Sequence, residues 1–321
     1  MRQGAELPAA ARAILGGDRR ALAKVISQVE NRDPAAGPIS RALFPRTGRA
    51  PVVGFAGPLG VGKSSLINLL VGRLRALDRT VGVVAVDPSS PFSGGSVLGD
   101  RIRFERSASD TGVFFRSMAS RGEPGGVAAA TREVARLMDA AGFDVVLVET
   151  VGSGQVDLAI RDVASTSVVV LVPHLGDEVQ TLKAGLFEIA DVFCVNKSDL
   201  PGADLAQRDL RELVSLGVSR TGWAPTVVTT STQPPRGIEE LWQAIEGHER
   251  FLDASGQRRA EERRRLAVEL VERAQELVGH DLTERLDRDP AMQTLLDRVA
   301  ARAVDPQTAA SRLRRRSSAR R

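Results

Sequence analysis

The chain has very little cysteine, histidine and aromatic side chain. Among its 321 residues are one cysteine, three histidines and no tyrosine, and aromatic residues make up 4% of the total. The single cysteine, Cys194, excludes an internal disulfide and is typical of a reducing compartment. Because Cys194 lies in the apolar run 192–195, we interpret it as a core residue. The isolated His174, His248 and His280 share no local ligand spacing, which argues against a soft-metal site.

Long apolar runs are also missing. No run approaches the roughly 20 residues of a membrane-spanning helix, and the N-terminus lacks the hydrophobic region of a signal peptide. We therefore expect a cytoplasmic protein without a membrane partner. The net charge is only +4, yet arginines crowd the C-terminus, at Arg312, Arg314, Arg315, Arg316, Arg320 and Arg321. No aromatic residue for base stacking lies nearby, so we interpret this run as a solvated tail and expect no nucleic acid partner.

Apolar strands alternate with helical patterns through the middle of the chain. The predicted strands are 52–56, 81–86, 145–148, 168–172, 192–195 and 226–229. Unbroken β-branched runs of this kind are typical of a parallel sheet that helices cover on both faces. The fold class predicted from the sequence is therefore α/β, a P-loop three-layer domain with a mostly parallel sheet over residues 51–252.

Helical segments flank this domain. Residues 1–50 are predicted to form an N-terminal helical extension and a connector, with Leu22, Val25, Ile26 and Val29 on one helix face. Residues 253–310 are predicted to form two amphipathic helices, the second over 292–304, and 311–321 a basic disordered tail. The apolar face of the first helix, at Leu266, Leu270, Ala274 and Leu277, needs a partner surface. That surface is either the domain itself or a second copy of the chain, and we expect a dimerisation arm and a homodimer.

A complete phosphate-binding motif, G-x-x-x-x-G-K-[ST], follows the first predicted strand and begins a helix. Its residues are Gly57, Pro58, Leu59, Gly60, Val61, Gly62, Lys63 and Ser64, and Ser65 follows them. A strand that leads through glycines into a helix start points backbone N–H groups and the positive end of the helix dipole at one spot. Lys63 would reach the β- and γ-phosphates, and the Ser64 hydroxyl would ligate Mg²⁺. In this setting phosphate binding is favoured over a ligand-free glycine turn.

The sequence Asn196-Lys197-Ser198-Asp199 predicts that the nucleotide is GTP or GDP. The carboxylate of Asp199 can accept hydrogen bonds from N1–H and the 2-amino group of guanine, which adenine cannot supply. The Asn196 amide is predicted to reach the purine edge, and the Lys197 stem to cover the ring face. Thr230, Ser231 and Thr232, after the last strand, are candidates for further base contacts.

Three acids at or after strand ends are candidates for a Mg²⁺ site together with Ser64. They are Asp87, Asp100 and Glu149. Mg²⁺ prefers one or two carboxylates with phosphate oxygens and water, so not all three are direct ligands. Ligands of such folds bind at the carboxyl edge of the sheet, where these acids are expected. Gly152, in the position of a D-x-x-G switch that here begins with Glu149, is predicted to donate its N–H to a γ-phosphate.

The motifs together predict a GTP hydrolase that uses in-line attack of water on the γ-phosphate. The predicted catalytic residues are Lys63, Asp87, Asp100, Glu149 and Gly152. Lys63 and the loop amides would stabilise the charge that develops in the transition state.

A longer signature resembles one family of such proteins. It comprises V-D-P-S-S-P at 86–91, S-G-G-S at 93–96, L-G-D-R at 98–101, R-S-M-A-S-R-G at 116–122 and E-T-V-G at 149–152. Over about residues 15–310 the chain closely resembles the MeaB/ArgK family, whose human member is called MMAA. The resemblance implies a homodimeric GTPase that chaperones an adenosylcobalamin-dependent acyl-CoA mutase, typically methylmalonyl-CoA mutase. Such a chaperone gates cofactor delivery and protects or reactivates the mutase.

The resemblance also assigns roles to particular residues. It implies that Lys63, Asp87, Asp100 and Glu149 are active-site residues, and that 172–183 is a switch segment communicating with the mutase. The chain departs from the family pattern at Leu59, at Ser153, at 156–157 and at 123–124. These changes leave the nucleotide chemistry intact and bear on which mutase is matched.

Other functions fit the motifs less well. GTPases that deliver nickel or zinc share the phosphate loop and the Glu-x-x-Gly switch, but metal delivery needs clustered soft or imidazole ligands. A kinase would need an acceptor site and a catalytic-loop base, and N-K-S-D argues against ATP as its donor. A slow, nucleotide-locked adaptor remains an alternative, because the motifs predict binding more directly than turnover.

Overall fold

The computed structural model describes residues 6–87, 110–119, 124–150, 152, 158–173, 185–216 and 222–318. The chain divides into two compact units, Met1–Arg265 and Leu266–Arg321. The predicted domain limits at residues 50, 252 and 310 stay predictions. Among the helices of the described ranges, none is both long and apolar enough to cross a membrane.

The first unit is built on a seven-stranded sheet in which every pair of neighbours is parallel. The strand order is β3-β2-β4-β1-β5-β6-β7. Because all the strands run the same way, their carboxyl ends share one edge, and the α/β fold predicted from the sequence is confirmed. The strands are β1 (Val52–Ala56), β2 (Val81–Asp87), β3 (Val113–Ala119), β4 (Val145–Glu149), β5 (Thr166–Leu171), β6 (Val192–Val195) and β7 (Thr226–Thr229).

Helices cover both faces of this sheet. The helices of the unit are α1 (Ala9–Leu15), α2 (Arg19–Glu30), α3 (Ala36–Leu43), α4 (Lys63–Ala76), α5 (Pro124–Ala140), α6 (Leu186–Ile189), α7 (Ala203–Leu216) and α8 (Ile238–Ala254). On one face α4 and α8 enclose a core with Val53 and Phe55 of β1, and on the other α1, α2, α3 and α5 share a core with Ala56. A short hairpin, β8 (Ser231–Thr232) with β9 (Pro235–Arg236), follows β7.

The N-terminal segment contains more helix than the sequence predicted. The stripe Leu22, Val25, Ile26 and Val29 is buried on α2 as expected. The predicted connector, however, includes α3, which buries Ala36, Ile39 and Leu43. Its helical spacing was obscured by Gly37 and Pro38 in the first turn, where proline is tolerated because its missing N–H has no intrahelical partner.

The edge strand β3 was not predicted. Arg116 and Ser117 interrupt its apolar pattern, and in the structure the Arg116 guanidinium pairs with the Glu30 carboxylate and donates to Ser27 Oγ at 2.9 Å. Since Ser27 and Glu30 both belong to α2, the arginine in the strand is explained by the helix beside it.

The second unit is helical. Helix α9 (Gln257–Arg288) crosses the boundary between the units, and α10 (Pro290–Ala300) and α11 (Pro306–Ser318) follow. No residue of α9 is buried, and Leu270 and Leu277 are 71% and 73% exposed. The segment predicted as a disordered tail is helical as far as Ser318. Asp305 Oδ1 accepts from Thr308 N at 2.9 Å at the start of α11, and arginine and alanine favour the helix that continues.

A buried polar cluster lies at the amino ends of β5 and β6. His248 of α8 is 4% exposed, and its Nδ1 lies 2.8 Å from Thr166 Oγ1. Its Nε2 lies 3.4 Å from Asp191 Oδ1. Burial lowers the pKa of His248 from 6.5 to about 4, because the imidazolium loses its hydration, and burial raises the pKa of Asp191 to about 7. The imidazole is therefore neutral at physiological pH.

This burial predicts a pH-dependent stability. The unfolded chain binds a proton at His248 near pH 6.5, whereas the folded chain binds it only near pH 4. The free energy of unfolding of the native chain should therefore fall, relative to that of His248→Gln, as pH is lowered from 6.5 to 4. The expected difference is at most about 1.4 kcal/mol per pH unit, measured by urea unfolding. The raised pKa of Asp191 changes stability with pH in the opposite direction. Because Asp191 is present in both chains, its contribution largely cancels in the comparison. Parallel pH curves for the two chains would contradict the expectation.

Candidate nucleotide-binding site

The phosphate loop lies between β1 and α4, at the carboxyl edge of the sheet. Gly62 precedes the helix with φ of 95°, a left-handed conformation that favours glycine. A Cβ at this position would lie 2.5 Å from Asn196 Nδ2, so the close approach of the two loops also requires glycine. Because Gly62 has no side chain, it caps none of the N–H groups at the start of α4. These groups can therefore donate to an anion.

Lys63, the next-to-last residue of the phosphate loop, is buried within it. Its Nζ donates to Gly57 O at 2.7 Å and to Pro58 O at 3.0 Å, and the residue is only 5% exposed. The ammonium group therefore lies inside the curve of the backbone, where phosphate oxygens would bind. A charge in this position is shielded from water, which strengthens its attraction for an anion.

Ser64 and Glu149 place two oxygen atoms that can ligate a metal close together beside Lys63. Ser64 Oγ donates to Glu149 Oε1 at 2.6 Å, and Glu149 is 8% exposed. Glu149 ends β4, whose register places it opposite Phe55, two residues before the loop. The hydroxyl keeps its lone pairs when it donates, so the pair presents hard oxygen atoms of the kind that Mg²⁺ binds. The residues present thus fit a Mg²⁺ ion.

Gly152 lies against the phosphate loop. Its φ is 84°, and a Cβ built on it would lie 2.7 Å from Gly57 O, 2.8 Å from Leu59 N and 2.8 Å from Lys63 Nζ. The backbone at this position can come this close to the loop only because the residue has no side chain. The contact joins the segment after β4 to the position where the terminal phosphate of a nucleotide is expected.

The motif at 196–199, which is predicted to read the base, is hydrogen-bonded to the same loop. Asn196 is fully buried, and its Nδ2 donates to Val61 O at 2.8 Å. Lys197, with φ of 56°, donates from Nζ to Gly60 O at 2.9 Å. The sequence predicted that the Asn196 amide reaches the purine edge. The structure uses one of its hydrogens to bind the phosphate loop, so Asn196 connects the two halves of the site.

The residues after β7 contact this motif rather than the loop. Ser231 Oγ donates to Asp199 Oδ1 at 2.9 Å, which orients the carboxylate predicted to read guanine. Thr230 Oγ1 donates to Asn196 Oδ1 at 3.0 Å. The sequence predicted base contacts for Thr230, Ser231 and Thr232, but it gave no signal that Thr230 contacts Asn196. That contact follows from the pairing of β6 with β7, which sequence patterns do not specify.

The structure thus brings most of the described candidates to one edge of the sheet. Lys63 and Ser64 belong to the phosphate loop, Glu149 and Gly152 contact it, and the 196–199 motif lies beside it. Asp87 is the last residue of β2. The predicted Asp100, the signature residues 88–91, 93–96, 98–101, 120–122 and 151, and most of the predicted switch at 172–183 lie outside the described residues.

The sequence of the chain is similar to those of several proteins that are named GTPases. It is 44% identical over 297 residues to a putative GTPase of Pyrococcus abyssi, and the aligned region covers 92% of this chain and 91% of the relative. It is 34% identical to the GTPase ArgK of Escherichia coli, over 95% of this chain and 94% of the relative. A mouse protein, the mitochondrial methylmalonic aciduria type A homolog, is 35% identical over 64% of this chain and 50% of its own length.

Its structure is similar to the crystal structure of a LAO/AO transport system kinase, with a TM-score of 0.73, 27% identity and 99% of both chains covered. Residues 22–287 match the family model described as "Methylmalonyl Co-A mutase-associated GTPase MeaB". The chain therefore belongs to the MeaB family of methylmalonyl-CoA mutase-associated GTPases.

Proposed function

We propose that the chain is a Mg²⁺-dependent GTPase that acts as a chaperone of an adenosylcobalamin-dependent acyl-CoA mutase of the methylmalonyl-CoA mutase type. The observation that carries the nucleotide assignment is the contact between two motifs. Asn196 and Lys197 of the guanine-reading sequence donate to the carbonyls of Val61 and Gly60 in the phosphate loop. One ligand with a phosphate chain at one end and a guanine at the other would contact both.

The proposed reaction is in-line attack of water on the γ-phosphate. Lys63 and the N–H groups at the start of α4 bind the phosphate oxygens and stabilise the charge that develops on them. Mg²⁺ bound there would supply Lewis-acid stabilisation of phosphate oxygens. Ser64 and Glu149 would hold it, with Asp87 and Asp100 as further candidates. Gly152 donates its backbone N–H to the terminal phosphate and loses that contact after hydrolysis.

The partner assignment rests on the family description. Its members are described as associated with methylmalonyl-CoA mutase, and the relative from mouse is named for methylmalonic aciduria. We infer that the nucleotide state controls cofactor loading and protection of the mutase in the cytoplasm. We also infer a homodimer, because the exposed leucines of α9 form an apolar surface that a second copy would cover.

Asp199→Asn should change the nucleotide that is bound. An amide at this position presents an N–H group to the base, which matches the 2-oxo group of xanthine and not the 2-amino group of guanine. We expect the affinity for GDP to fall at least about a hundredfold, which corresponds to about 2.7 kcal/mol of binding free energy. The variant should then bind XDP more tightly than GDP. Calorimetric titration with GDP, XDP and ADP measures both effects. Retained guanine preference, or native binding of ADP as tight as GDP, would contradict the assignment.

Gly152→Ala should impair the phosphate end of the site, because the added methyl group meets Gly57 O, Leu59 N and Lys63 Nζ. We expect at least a tenfold loss of GTP affinity, about 1.4 kcal/mol, with a loss of turnover. Gly17→Ala is the matched control, since Gly17 also has φ of 84° but no atom lies within 4 Å of the place that its added methyl group would take. That variant should lose about 1–2 kcal/mol of stability and keep its affinity for GTP. Equal GTP affinity in the two variants would refute a phosphate contact at Gly152.

The chaperone assignment predicts a nucleotide-dependent complex with a cobalamin mutase of the same cell. Tagged chain charged with a non-hydrolysable GTP analogue or with GDP is used to capture partners, which are identified by mass spectrometry. We expect a mutase whose recovery differs between the two nucleotides. Capture of nickel-enzyme subunits instead would favour metal delivery. Single-turnover assays with the captured mutase separate a GTPase from a nucleotide-locked adaptor, because only the former releases phosphate.

A further inference from the structure

We propose that Thr230 is a positioning residue for the guanine nucleotide, and that its hydroxyl, together with the Cys194 thiol, fixes the Asn196 amide in one orientation. This inference rests on the proposed guanine nucleotide site. It concerns a buried chain of hydrogen bonds, the amide relay, which consists of Cys194, Thr230, Asn196 and the carbonyl of Val61.

The direction of the amide relay follows from its chemistry. The Val61 carbonyl can only accept a hydrogen bond, so the atom 2.8 Å from it must be Nδ2 of Asn196. Oδ1 of the same amide then faces Thr230 Oγ1 at 3.0 Å and can only accept, so the hydroxyl donates. A reversed amide would place two acceptors, Asn196 Oδ1 and the Val61 carbonyl, against each other at the loop.

The thiol supplies the donor at the end of the relay. A threonine hydroxyl has one hydrogen, which Thr230 donates to Asn196, so its 3.1 Å contact with Cys194 Sγ is an S–H···O bond. Cys194 is fully buried, and burial raises the pKa of its thiol to about 12. The sulfur therefore keeps its hydrogen and donates at physiological pH. The buried cysteine thus has a polar role in addition to packing.

The backbone prevents Thr230 from moving away. Its N–H donates to Val195 O at 2.9 Å, and its carbonyl accepts from Ser198 N at 2.9 Å. Asn196 is held in the same way, because its N–H donates to Leu171 O at 2.8 Å. Cys194, Asn196 and Thr230 are all 0% exposed, so water cannot replace a partner that is lost. The second hydrogen of Nδ2 is consequently aimed in a fixed direction from the loop.

Substitution of Thr230 tests this role. Thr230→Val keeps the shape but leaves Asn196 Oδ1 buried without a donor, and we expect affinity for GDP and IDP to fall about tenfold, equivalent to 1.4 kcal/mol. The two nucleotides should be affected equally, because the 2-amino group that distinguishes them is read by Asp199. Thr230→Ser restores the hydroxyl and should rescue binding to within about twofold. Native binding in Thr230→Val, or failed rescue by folded Thr230→Ser, would overturn the proposal.

A double-mutant cycle separates positioning from a general effect on structure. If Thr230 acts through Asn196, then Thr230→Val should cause no further loss of GDP affinity in an Asn196→Ala background. Additive losses would overturn the proposal. Cys194→Ser keeps a donor and Cys194→Ala removes it, so only the alanine variant should bind GDP more weakly, by about threefold. A native chain that binds no GDP would refute the proposed function itself, whereas tight native binding unaffected by Thr230→Val refutes the relay alone.

Discussion

The site depends on the carbonyl groups of the phosphate loop. A backbone that turns its N–H groups toward one anion turns its carbonyls elsewhere, and carbonyls buried beside a sheet need donors. Three side chains supply them here. Lys63 binds the carbonyls of Gly57 and Pro58, Lys197 binds that of Gly60, and Asn196 binds that of Val61. The residues that stabilise the loop are therefore the same ones that its motifs assign to the nucleotide. Replacing any of them changes the shape of the loop as well as the contacts to a ligand.

The parallel sheet brings these residues together. β1 lies between β4 and β5, so the loop after β1 lies beside Glu149 at the end of β4. On its other side β6 follows β5 in the sheet, and the 196–199 motif begins directly after β6. The proposed phosphate and base contacts are thus about two strand spacings apart, about 10 Å, which is a distance that a nucleotide can span. The order of the strands determines this spacing.

The sequence predicted well what depends on local pattern and poorly what depends on neighbours. The limits predicted for β1, β6 and β7 are the limits observed in the structure, because parallel strands covered on both faces are continuously apolar. β3 was missed, since Arg116 is compatible with a strand only through its contact with Glu30 on α2. In the site, the spacing of the motifs identified Lys63 and Asn196. The partner of Asn196, Thr230, lies 34 positions away in the chain, and only the pairing of β6 with β7 brings the two side chains together.

The two ends of the site differ in how they are held. At the base end the amide relay is fully buried and each of its members has a fixed partner. At the phosphate end, Gly152 lies against the loop in a left-handed conformation that favours glycine, at a distance that leaves no room for a Cβ. The proposed GTPase cycle needs this asymmetry. In that cycle the base would be bound equally before and after hydrolysis, so that the loss of one phosphate would change the contact at Gly152 and would not release the nucleotide.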